Sequence, residues 1–236
     1  MEIDPRYYFI GRIKLESDAF LDVDFLQLSG FRYLWYLSLK SKTLRFKHIN
    51  SFYRLKNLKQ LELYDPTKFI VEQLDFEKLL KLKSLEISYT NLTRFYIRNL
   101  KKAINITSLT LQNVILKTED IDSFANFTKL KNLKILKSKL ESFSFPGLLP
   151  RTLQSLILVK IEDTILIDDH KNCSIVASDC SLKISNNYDV MKGKLDVTDS
   201  LVTMESCEGD RGNLLLNNSF VRFLDSNCRS QCFVEP

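Results

Sequence analysis

The sequence predicts a single α/β solenoid: a parallel sheet of ten stacked rungs, helical connections in the middle rungs, and short, nearly all-β rungs at the end. Three observations predict it. A six-residue pattern, apolar at its first, fourth and sixth positions, returns every 24 residues. From "LKSLEI" (82–87) it steps back to "LKQLEL", "LWYLSL" and "IGRIKL" and forward to "ITSLTL" and "LKNLKI". Taking Leu85 as reference residue, these rungs are marked by Ile13, Leu37, Leu61, Leu85, Leu109 and Leu133; shorter steps of 23, 19, 20 and 19 then reach Leu156, Ile175, Leu195 and Leu214. Finally, the reference position and those two and seven later are apolar at 28 of 30 sites in a chain that is 44% apolar, failing only at Lys68 and Asp163.

Each element follows from its own pattern. Apolar residues at the reference position and two later mark a strand with the intervening residues on its other face. Between rungs three and six the connections read as helices. The stretch 69–82 places Ile70, Leu74, Leu79 and Leu80 apolar, 93–104 follows, and 118–127 opens with acids where the helix dipole favours them. Pro146, Gly147 and Pro150 break helicity over 141–152. Beyond them the residue three before the reference becomes polar (Asn172, Lys192, Arg211). A second alternation appears there, at Leu182/Ile184, Val202/Met204 and Val221/Phe223. Rungs of about 20 residues leave no room for a helix, so the last three read as β-helix-like coils. Residues 1–236 thus form one domain, with 24-residue repeats over 1–150 and 19–20-residue repeats over 151–236.

The run L-x-x-L-x-L-x-x-N-x-L, present as "LKSLEISYTNL" (82–92), "ITSLTLQNVIL" (106–116) and "LKNLKILKSKL" (130–140), resembles the leucine-rich repeat family across nearly the whole chain. The resemblance implies a horseshoe with its parallel sheet on the concave side; it is specific for architecture and not for function. One column departs from the family. Five residues after the reference, where asparagine is usual, stand Asp18, Lys42, Pro66, Thr90, Val114, Ser138, Ile161, Cys180, Ser200 and Ser219. That departure predicts an unladdered column and irregular turns.

Charge is uneven. Residues 1–150 hold 25 basic and 16 acidic side chains, residues 151–236 hold 9 and 13. The densest run, Lys129, Lys131, Lys134, Lys137 and Lys139, falls on both sides of rung six with no interleaved aromatics. It reads as a solvated surface rather than a base-stacking site. No apolar run approaches the roughly 18 residues of a membrane span, and the start "MEIDPRYYFIGRIKLE" lacks a secretory pattern. The expectation is an intracellular protein.

Catalytic constellations are scarce: there are two histidines, and no nucleophile-elbow, zincin, phosphate-loop or dinucleotide motif. No cofactor is implied. Asp168, Asp169, His170 and Cys173 share one turn, a mix that suits zinc and equally a polar loop. Five cysteines, Cys173, Cys180, Cys207, Cys228 and Cys232, have irregular spacing unlike a disulfide framework. Sequons at Asn91, Asn105, Asn126, Asn172 and Asn217 favour the opposite, secreted reading. Neither end carries an obvious polar cap beyond Tyr7, Tyr8 and Phe9 packing under rung one. "CFVEP" reads as the opening of another rung, which predicts self-association or a capping partner there.

The sheet's outward positions are one before, one after and three after each reference residue. Through rung five they are polar or tyrosine, including Tyr36 and Tyr64. Leu136, Ile157, Val159 and Val176 then bring apolar residues together on adjacent strands. Contiguous exposed apolar surface marks a contact site, unless the Pro146–Pro150 break folds a loop over it. The expectation is a non-catalytic adaptor that holds a protein partner on this patch, with Tyr36 and Tyr64 orienting it. Irregular repeats of 19–24 residues resemble those of F-box substrate receptors. An extracellular ectodomain and a nucleic-acid-binding solenoid are the alternatives.

Overall fold

In the computed structural model every rung's alternation forms a strand, and the ten strands make one parallel sheet in chain order. The structure describes residues 9–66, 74, 76–100, 102–117, 120, 122–141, 144–146, 149–168, 173–184, 194–204 and 214–223. The strands are Arg12–Ser17, Tyr36–Ser41, Gln60–Tyr64, Ser84–Arg94, Ser108–Lys117, Asn132–Leu136, Ser155–Val159, Ser174–Ser178, Leu195–Thr198 and Leu214–Asn217. Lys139–Glu141 adds an eleventh beside the second half of Ser108–Lys117. Each reference residue pairs with the next, from Ile13 opposite Leu37 to Leu195 opposite Leu214. A slip of one residue would turn the whole apolar set to solvent, so burial fixes this register. From rung two to rung nine the reference residue and the one two later are 0–1% exposed and share one core.

The turns after the strands are more regular than the sequence predicts. The residue four after the reference is left-handed in seven rungs: Asp65, Asn113, Lys137, Lys160, Asp179, Asp199 and Asn218. Asp and Asn tolerate that conformation best among residues with a Cβ. In five of these rungs its N–H donates to the carbonyl three after the next reference residue, as Lys137 does to Val159 at 2.7 Å. The next column is laddered after all, by serine. Ser138, Ser200 and Ser219 accept from the N–H groups of Val114, Cys180 and Ser200, one rung back, at 3.1, 3.0 and 3.3 Å. Each also donates to the carbonyl two residues before it, at 2.7–2.9 Å. A short hydroxyl that both accepts and donates satisfies the turn groups usually served by asparagine.

The helical convex segments expected over 69–82, 93–104 and 118–127 are not confirmed. Where those segments are described they hold the 3-10 turns Phe76–Lys78, Ile97–Leu100 and Asp122–Asn126, and Asp120 is α-helical; residues 69–73, 75, 101, 118–119 and 121 lie outside the described residues. Strands Ser84–Arg94 and Ser108–Lys117 take 11 and 10 residues of their rungs. The remaining residues must cover the return path, and a 3-10 turn advances about 2.0 Å per residue against 1.5 Å for an α-helix. Phe25–Leu28 is a single α-helical turn capped by Asp24, whose carboxylate accepts from Leu26 N–H at 2.9 Å.

A second parallel sheet packs against the same core: Ser144–Pro146, Thr164–Asp168, Ser181–Ile184, Leu201–Met204 and Phe220–Phe223. The expected second alternation carries it, with Leu182 opposite Val202 and Val202 opposite Val221. It starts earlier than expected, inside the segment read as a break; Pro146 fits there because it ends an edge strand. Two apolar positions seven after the reference face solvent instead of the core. Phe20 is 58% and Leu92 42% exposed. Leu92 is displaced by a register shift between Ser88 and Thr93, which inserts extra residues into rung four. At the N-terminal end Phe9 does not pack under rung one; it is exposed and stacks on Tyr33 of rung two, with ring centroids 5.5 Å apart. Tyr7, Tyr8 and the segment 224–236, where end capping was expected, lie outside the described residues.

Candidate functional site on the open sheet face

The outward side chains form three rows that cross the rungs at strand spacing, about 4.8 Å. Over the first four rungs these rows are polar and mutually bonded. The Tyr36 hydroxyl donates to Glu62 Oε2 at 2.6 Å, Gln60 Nε2 donates to Glu62 Oε1 at 2.9 Å, and the Tyr64 hydroxyl donates to Glu86 Oε1 at 3.1 Å. Burial raises the Glu86 carboxyl above its ordinary value; the Tyr64 hydrogen bond opposes this and the charge of Glu62 adds to it. Burial, then the charges of Glu86 and Glu62, pushes the Tyr64 phenol up as well. A shallow concavity of about 250 Å³ opens among Lys14, Glu16, Ser38, Lys40, Glu62 and Tyr64. Lys40 and Glu16 close a salt bridge at its rim.

Tyr36 is placed differently from the sequence expectation. It stands on the outward side but is only 3% exposed, because Arg12 lies over its ring at 4.6 Å and Glu62 holds its hydroxyl. Its hydroxyl holds Glu62 in place. Tyr64 is half-buried.

The apolar residues do come together. Leu136 stands directly opposite Val159, and Ile157 directly opposite Val176, while Ile157 and Val159 are two apart on one strand. Leu136, Ile157 and Val159 are half-buried and Val176 is 36% exposed. The neighbouring segment Ser144–Pro146 stands in the second sheet, and Leu149 is buried in the core. Lysines surround the patch: Lys134 faces Ile157 across one strand spacing, and Lys137 and Lys160 follow Leu136 and Val159 in the turns. All three are exposed.

No family model matches the chain, and no curated protein matches it. Solved structures do match. A structure of the Drosophila Toll–Spätzle complex is similar at a TM-score of 0.67 and 13% identity, over 92% of this chain and 34% of that one. The leucine-rich repeat fold is thereby established. The glycosylated form of the same complex matches at 0.64 and 16% identity, over 95% and 32%, and a TDR receptor at 0.52 and 15%, over 91% and 43%. This chain spans less than half the length of each. At such identities the likeness is one of fold.

Within that leucine-rich repeat fold the remaining candidates fall as follows. Asp168 ends a strand of the second sheet, Asp169 and His170 lie outside the described residues, and Cys173 is buried. Among the described residues no group of three or more histidine, cysteine, aspartate or glutamate side chains could hold a metal ion, and no helix is long and apolar enough to cross a membrane. Cys173 and Cys180 are free thiols. Burial pushes Cys173 up to about 12 and raises Cys180 too, so both stay protonated and unreactive at neutral pH. Cys180 donates from Sγ to the Ser178 carbonyl at 3.1 Å, taking a serine's place in the ladder. The lysine run of rung six is split between both edges and the face of the sheet, so it is not one patch. Sequence reasoning missed the left-handed column, although Asp or Asn fills it in five of ten rungs.

Proposed function

We propose that the chain is a non-catalytic protein-binding module that holds a protein partner on the open face of its main sheet. Leu136, Ile157, Val159 and Val176 anchor the partner, and Tyr64, Glu62 and the lysines around the patch orient it. The observation that carries this reading is the pairing of four apolar side chains on the outward face, where the rungs before them present polar ones. Contiguous apolar surface left open on a sheet is the usual mark of a contact. That the similar structures include a Toll–Spätzle complex and a TDR receptor supports recognition as the role. A substrate-receptor role of the F-box type rests on repeat length alone. The test is partner capture by the wild-type chain and by the Ile157→Asp/Val159→Asp variant, with both shown to be folded.

The compartment is a separate proposal. An intracellular location is the expectation from the sequence, whereas an extracellular one is favoured by the exposed sequon residues Asn91, Asn126 and Asn217. Treating the protein from its native source with a glycosidase decides between them. A mobility shift assigns the secretory route, and an unshifted band assigns the intracellular one.

A further inference from the structure

The edge of the main sheet where its strands begin carries a second surface, distinct from the apolar patch. Two residues before each reference residue, the backbone forms a continuous ladder. Lys59 N–H donates to Trp35 O, Lys83 to Lys59 O, Thr107 to Lys83 O, Lys131 to Thr107 O and Gln154 to Lys131 O, at 2.8–2.9 Å. Lys59, Lys83 and Lys131 are exposed along this ladder. Four residues before the reference, asparagine and lysine alternate from rung to rung. Lys81 Nζ donates to Asn57 Oδ1, and Lys129 Nζ to Asn105 Oδ1, each at 2.7 Å. The two bonds repeat one geometry two rungs apart and hold both ammonium groups along the edge.

Arg32 and Arg151 extend the stripe to rungs two and seven, and Lys56 stands beside it. Across these six rungs the positions two, four and five before the reference hold eight cations and no acid. None of the eight forms an ion pair among the described residues. At the opposite edge the left-handed column mixes Asp65, Asp179 and Asp199 with Lys137 and Lys160. The eight cations thus stand with no acid among them, in a line of about 24 Å at strand spacing.

We propose that this edge binds the phosphate backbone of a nucleic acid duplex. A line of cations at a fixed pitch complements a polymer whose charges also repeat along a line, at about 3.4 Å per phosphate on each strand. In rungs three to seven the same positions hold no aromatic residue, and the exposed Tyr33 and Trp35 stand only at the rung-two end, so contact along the line is with phosphates. Binding is therefore independent of base sequence and steep in salt.

Fluorescence anisotropy with a labelled DNA duplex of about two helical turns, titrated with salt, tests this. Engagement of four or five phosphates gives a slope of log affinity against log salt near −4, and a fourfold rise in salt weakens binding by about two orders of magnitude. Lys59→Gln/Lys83→Gln/Lys131→Gln reduces the slope by about three without moving the thermal midpoint. The matched variant Lys134→Gln/Lys137→Gln/Lys160→Gln, away from this edge, leaves the slope near −4. Ile157→Asp/Val159→Asp retains duplex binding, which separates this surface from the partner patch. Three results overturn the proposal: no duplex binding at low salt, equal slopes for the two lysine variants, or displacement of the duplex by a sulfated oligosaccharide at lower charge concentration. The last would assign the edge to an anionic glycan.

Discussion

Asp120→Ala lowers the folding free energy by about 3 kcal/mol, measured by urea unfolding against the wild type. Asp120 is 2% exposed and sits where rung five leaves its strand. Its Oδ2 accepts from Arg94 Nη1 at 2.5 Å and from the Lys117 N–H at 3.0 Å, joining rungs four and five on the convex side. Arg94 also donates to the Ile115 and Phe95 carbonyls, at 3.1 and 3.3 Å, and lies over the Tyr96 ring at 4.5 Å. Removing the carboxylate strips the ion pair of its acid and leaves the Lys117 N–H without this acceptor. A buried pair broken on one side costs about 3–5 kcal/mol; the low end applies because the Arg94 side chain is partly exposed. Asp120→Asn keeps a neutral acceptor and costs less. Replacing Asp120 and Arg94 together with apolar residues costs less than Asp120→Ala, because neither charge remains. If Asp120→Ala unfolds at wild-type urea concentration, the convex side is not held by this pair.

Ile157→Asp/Val159→Asp abolishes partner binding and leaves the chain folded. Both side chains are half-buried on the outward face, so the new carboxylates stay hydrated, and Lys134 opposite position 157 supplies a counter-charge. The loss of β-branched residues from a strand costs about 1 kcal/mol per site. In the complex the balance differs. Each buried aliphatic side chain contributes about 1.5–3 kcal/mol, and the partner would now have to desolvate two carboxylates. The combined loss exceeds about 3 kcal/mol, more than a hundredfold in affinity. A variant that fails to fold would show that these residues belong to the core.

The rung register was legible because it rests on the strongest signal a chain offers, apolar residues at fixed spacing. All ten reference residues stand opposite one another, and the alternation at Leu182, Val202 and Val221 marked the second sheet. Connections were misread where a helical period was drawn from few apolar residues. Ile97 and Leu100 suit one face of an α-helix, yet they sit three apart and are equally eclipsed in a 3-10 turn. The length of the preceding strands decided between the two, and that length depends on pairing with a neighbouring rung. The serine ladder escaped notice because asparagine was the residue sought, while the chemistry requires only a short side chain that accepts and donates. Of the candidate site, the pairing of Leu136 with Val159 and Ile157 with Val176 followed from register alone. The burial of Tyr36 did not, since it depends on Arg12 and Glu62 folding over the ring from the rungs on either side. The basic edge was hidden for a related reason: its matching lysines are 24 or 48 residues apart in sequence and one or two rungs apart in space.

Hydrogen exchange of the chain, alone and bound to its captured partner, locates the partner on the sheet. Added protection is expected in Asn132–Leu136, Ser155–Val159 and Ser174–Ser178, together with the turns at Lys137 and Lys160, and unchanged exchange in the 3-10 turns at Ile97–Leu100 and Asp122–Asn126. Protection confined to those 3-10 turns, with the three strands unchanged, would contradict it.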